Sequence, residues 1–202
     1  VEIHFHATYL NNPIHNKKLQ SYLSQQLSLL SKHIVSYKDG ETIYSFPAPT
    51  DSFNRFFELC HIMHHYFDEG IGLRQLIDYY YLLSKGVTQE EKESDCSLLI
   101  QYGMYRFAAA VMYIMKNILG LSEQYLLMPP DCNAGRRLLA DIINGGNFGK
   151  YNKAFEHNNN NINPSRFFYK SLHNLSLAKY YLSEVLWEPL FRTWHFLWRK
   201  YQ

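Results

Sequence analysis

A chain of 202 residues that is 47% apolar and 16% aromatic has ample material for a packed core, in one large domain or two small ones. Twenty Lys and Arg against 18 Asp and Glu leave a formal net charge of +2, too little to imply a phosphate-backbone partner, so nucleic acid is not favoured. Cys60, Cys96 and Cys132 are far apart and form no CxxC pair, which argues against a zinc knuckle or disulfide framework and for reduced thiols in a cytoplasmic protein.

In chain order, Val1-Glu2-Ile3-His4-Phe5-His6 alternates apolar and polar residues with the period of a strand. Val1, Ile3 and Phe5 fall on one face, and Glu2, His4 and His6 on the other. A polar face of that kind, in a chain that opens without Met, reads as the last strand of an active-site sheet whose partners lie upstream. Asn11-Asn12-Pro13 marks a turn. Leu19, Tyr22, Leu23, Leu27, Leu30 and Ile34 then recur at helical spacing and predict an amphipathic helix, and Thr42 to Phe46, after Asp39-Gly40, predicts a short strand.

Beyond that point the chain is predicted to be helical. Thr50, Asp51 and Ser52 are capping candidates for a helix with Phe53, Phe56, Phe57, Cys60, Met63 and Phe67 as its apolar stripe. Gly70 and Gly72 end it. A second helix starts near Leu73, with Leu76, Ile77, Tyr80 and Leu83 as its expected buried side, and a third begins in the charged run Glu90 to Asp95. Phe107 to Leu119, apolar on nearly every side, reads as the hub of a bundle, and its strongest run stops at Lys116, short of the ~20 residues of a membrane helix. Arg136 to Ile143 predicts a short helix before the glycine-rich run 144–149. That run lacks the lysine of a P-loop and reads as a helix stop. After the polar tract Asn158 to Asn161, Arg166 to Tyr201 is expected to be helical and interrupted by Pro189. The expected fold is therefore mainly α with a small N-terminal β element (α+β). Residues 1–50 would form the end of one unit and 51–202 a helical domain.

The densest chemical cluster is His61, His64, His65 and Asp68, followed by Arg74 and Asp78 across the two glycines. His61 and His65, four apart, can share a metal that Asp68 would complete, or they can pack and hydrogen-bond locally. Arg74 and Asp78, also four apart, suit an ion pair as the default reading, and an arginine at a helix start can alternatively hold a phosphate.

The strand Val1-Glu2-Ile3-His4-Phe5, the helix Leu59-Cys60-His61-Ile62-Met63-His64-His65-Tyr66-Phe67 and the segment Gly70-Ile71-Gly72-Leu73-Arg74-Gln75-Leu76-Ile77-Asp78 together resemble the uncharacterised bacterial nucleotidyltransferase family. The runs Asn144 to Gly149 and Ser183 to Pro189 are also similar to stretches of that family. The resemblance implies a core of the DNA polymerase β type, with a Gly-Ser turn, an Asp-x-Asp pair and a third carboxylate on a later strand. Glu2 matches the third position, where it would hold Mg2+ or activate the acceptor, with His4 beside it. The implied reaction moves a nucleoside monophosphate from an NTP to an acceptor hydroxyl, and His61, His65, Arg74 and Asp78 would line the substrate wall. The Gly-Ser turn and the Asp-x-Asp pair are not in this sequence, so the chain is expected to be catalytically incomplete.

Two other classes stay open. Helical HEPN-type ribonucleases carry an Arg followed after four to six residues by His, a spacing that Arg55 with His61 and Arg166 with His173 both fit, as chance alone readily allows among 10 histidines. A non-catalytic interaction module is the other. Trp187, Trp194 and Trp198 on the last helix either mark a partner or membrane surface or close the core.

Overall fold

A computed structural model describes residues 9–68, 70–145 and 164–200. Helix α1 (Pro13–Ser28) starts where Asn12 Oδ1 accepts hydrogen bonds from Ile14 N at 2.9 Å and His15 N at 3.3 Å, with Pro13 at the first helical position. Its buried residues end at Leu23, so the helix expected to run to Ile34 stops early. After a 3-10 turn at Leu30–Lys32 the chain enters strand β1 (Ile34–Asp39). The β-branched pair Ile34-Val35 and the alternation that follows win over the leucine spacing before them.

β1 pairs antiparallel with β2 (Thr42–Pro47), the strand expected over Thr42 to Phe46. The register runs from Ile34 opposite Pro47 to Asp39 opposite Thr42. Among the described residues this hairpin is the whole sheet, and it stands largely in solvent. The fold is accordingly mainly α with a small antiparallel element near the N-terminus.

Helix α2 (Asp51–Asp68) buries Phe53, Phe56, Cys60, Met63 and Phe67, as its spacing predicts, and Phe53 N donates to Thr50 Oγ1 at 3.2 Å. It ends at Gly70, whose φ of 82° is costly for any other residue and whose N–H donates to His65 O at 2.7 Å. Helix α3 (Leu73–Ser84) buries Leu76, Tyr79 and Leu83. Ile77 is 42% exposed and Tyr80 only half-buried, so Tyr79 takes the inward place the spacing had given to its neighbours. Helix α4 (Gln89–Gln101) has a reciprocal cap in which Glu91 N donates to Thr88 Oγ1 and Thr88 N to Glu91 Oε2.

Helix α5 (Tyr105–Asn117) is the predicted hub. It is buried without a break from Phe107 to Met112 and packs against α3, α4, α6 (Cys132–Gly145) and α8 (Ala178–Lys200). α6 begins four residues before the expected Arg136, because Asp131 Oδ1 accepts from Asn133 N and Ala134 N, both at 3.0 Å. It lies so close to α5 that a Cβ on Gly135 would stand 2.3 Å from Tyr113 Cβ. Helix α7 (Pro164–Ser176) and α8 meet at Leu177. The backbone leaves helical geometry at Tyr181 (φ −134°, ψ 50°), whereas Pro189 sits inside α8 without ending it. Thr193 Oγ1 donates to the Pro189 carbonyl at 2.8 Å. Tyr9, Leu10, Leu19 and Leu23 belong to the same core as the later helices. The cysteines are free, and no described helix is long and apolar enough to cross a membrane.

Candidate functional site

At about 100° per residue, Glu58, His61 and His65 stand in a row on α2, with His64 and Asp68 beside them on the flank of the buried stripe. The Nε2 atoms of His61 and His65 are 2.8 Å apart. A hydrogen bond at that distance needs one nitrogen to donate and the other to accept, so the facing atoms share a single proton. His61 stacks on Phe57 (centroids 6.3 Å apart), and His64 meets the Tyr9 ring edge-on at 6.3 Å.

Sequence reasoning missed Glu58, although the spacing Glu58, His61, His65 carries the signal. Burial pushes its carboxyl above the ordinary range, the charge of Asp78 on α3 adds to this, and His65 pulls the other way. The α2–α3 pair thus brings the histidines, Glu58 and Asp78 to one place. Arg74 and Asp78 are both exposed, and among the described residues no ion pair joins them, so the i,i+4 pairing expected between them is not made. Arg74 occupies the second position of α3, whose start is fixed by the Gly72 N–H donating to Gln75 Oε1 at 3.1 Å. Glu2 and His4 lie outside the described residues.

Asp68 does not join the histidines as a third ligand. Lys170 of α7, 8% exposed, donates to its Oδ1 at 2.5 Å and to its carbonyl at 2.9 Å. Partial desolvation by its neighbours works to raise the Asp68 carboxyl, whose side chain is 56% exposed, but the Lys170 ammonium outweighs it and holds the group below its usual range. No group of three His, Cys, Asp or Glu side chains that could hold a metal ion occurs among the described residues. Mg2+ takes oxygen ligands in near-octahedral geometry, which this row of imidazoles does not supply; Glu2, the acid assigned to it, lies outside the described residues.

Behind this face, Tyr66 OH donates to Asp141 Oδ2 at 2.6 Å, Arg137 Nε reaches both Asp141 oxygens at 3.1 and 2.9 Å, and His173 Nε2 lies 3.7 Å from Oδ2. This network ties α2, α6 and α7 together. Burial would raise the Asp141 carboxyl, yet its hydrogen bonds keep it below the usual range. Arg55 is only 1% exposed and bonded to Asp95 and Glu91 of α4, so its guanidinium is held by carboxylates. The Arg166 side chain lies outside the described residues.

No protein-family model, curated protein or solved structure matches this chain.

Proposed function

We propose that the chain is the C-terminal portion of a nucleotidyltransferase that moves a nucleoside monophosphate from an NTP to an acceptor hydroxyl, with the Gly-Ser turn and the Asp-x-Asp pair supplied from outside this sequence. The support comes from the order of motifs and from one structural observation. Tyr9, the first described residue, lies against Phe57 and His64, beside the histidine row of α2. Its position is held by Asn16 Oδ1, which accepts from Tyr9 N at 3.0 Å and Leu10 N at 3.2 Å.

In this proposal Glu2 is the third metal-binding acid, with His4 beside it. The His61–His65 pair takes up the proton that the acceptor hydroxyl loses as it attacks the α-phosphorus and pyrophosphate leaves, and Arg74 at the start of α3 steadies phosphate oxygens. Asp78 and the raised carboxyl of Glu58 complete that wall. The metal-free ribonuclease alternative draws no support from Arg55, whose guanidinium is occupied by carboxylates.

The test is a transfer assay on the protein extended by the residues encoded before Val1, using labelled NTPs with magnesium. Pyrophosphate release and labelled acceptor, both lost on Glu2→Gln, are expected. Absence of release with every NTP, or RNA cleavage in the presence of a chelator, would reject the assignment.

A further inference from the structure

Helix α8 is amphipathic in the reverse sense. Glu184 (4% exposed) and Glu188 (6%) are turned inward, Glu188 pairs with Arg192, and Asn11 N donates to Glu184 Oε2 at 2.6 Å. The opposite side presents Leu182, Leu186, Leu190, Trp194 and Leu197, exposed by 58, 62, 61, 55 and 47%. These positions fall within a ~120° arc of the helix and run for about 22 Å. Among the described residues from 182 to 197, no exposed residue is charged. A surface helix ordinarily does the opposite, and a stripe this long and this apolar is unfavourable in water.

We propose that this face of α8 is the contact of a homodimer, with a second copy of the chain laid antiparallel across a two-fold axis near Leu190. The area supports a second copy. The five side chains expose on the order of 550 Å2. A standard interface buries about 800 Å2 per partner, and homodimer interfaces are about 65% apolar, which requires roughly 520 Å2 of apolar surface. A stripe without charge also selects against a charged partner face. The antiparallel arrangement is self-complementary, because Leu182 then meets the Trp194–Leu197 end of the other helix while Leu190 meets its own copy. The inference rests on α8 alone and is independent of the transferase proposal.

Light scattering coupled to gel filtration on the 202-residue chain should give the mass of a dimer at tens of micromolar. Leu190→Glu places two like charges at the axis and should yield a monomer, at least tenfold weaker in self-association, as should Leu186→Glu. Both side chains are exposed in the protomer, so circular dichroism should show unchanged helix content, with melting lowered only by the lost association and no longer dependent on protein concentration. Ile100→Glu, at a 64% exposed position on α4, should leave the dimer intact. A wild-type monomer would overturn the proposal, as would a dimer that survives both leucine changes. Flotation of a monomeric chain with phosphatidylcholine–phosphatidylglycerol vesicles would also overturn it, by assigning the stripe to a lipid surface.

Discussion

Arg55 of α2 and Asp95 of α4, each 1% exposed, form an ion pair at 2.6 Å across 40 residues of sequence. Ser52 Oγ donates to the second oxygen of Asp95 at 2.6 Å, and Arg55 also donates to Glu91 at 3.0 Å. Removing one partner strands a buried charge. Asp95→Ala is expected to cost about 3–5 kcal/mol in urea unfolding, while Glu91→Gln, at the 40% exposed end of the network, should cost under about 1 kcal/mol. Equal costs for the two would contradict this division between a buried and a surface pair.

Gly135 marks the closest approach of α6 to α5. Gly135→Ala must displace Tyr113, since the new Cβ would meet its ring and Cβ at 2.3–2.5 Å. A loss of about 1–3 kcal/mol is expected despite the better helix propensity of alanine, and a stabilised variant would show that the helices can separate freely.

Glu184 gives the protein a pH dependence of defined sign. Burial pushes its carboxyl up to about 7 from an ordinary value of 4.5, partly offset by the Asn11 and Asn12 backbone N–H groups. The folded state therefore holds this proton more tightly than the unfolded state. The stability it contributes is full below about pH 4.5 and is lost as pH rises through about 7. Urea midpoints between those values should fall with pH more steeply for the wild type than for Glu184→Gln, and identical slopes would place the carboxyl in water.

Tyr66→Phe removes the hydroxyl that donates to Asp141 while keeping the ring in the core. The expected cost is about 1–2 kcal/mol, with faster amide exchange in α6 and α7, the helices that Asp141 joins. Exchange confined to α2 would contradict the joining role.

Much of this fold is legible along the chain because it depends on local spacing. The stripes of α2 and α5, the Gly70 stop and the second strand all follow from residues within a turn or two of one another. Where the chain departs from expectation, a longer-range or competing local term wins. The leucines up to Leu30 continue at helical spacing, yet only those up to Leu23 find a core. Pro189 sits at an exposed position of α8 and removes only its own bond to the Val185 carbonyl, so the helix continues past it. Trp194, a candidate for closing the core, is 55% exposed because α8 turns its acids inward. The histidine row was visible from its spacing. Its limits were not, since Lys170 lies 102 residues from Asp68 and only tertiary packing brings it there.

Calorimetric titration of magnesium-ATP tests the transferase proposal most directly, comparing the 202-residue chain with the protein extended upstream of Val1. The prediction is no tight binding to the chain alone, and binding to the extended protein that weakens at least tenfold in Glu2→Gln and measurably in Arg74→Ala. Tight binding by the chain alone, or none by either protein, would contradict it.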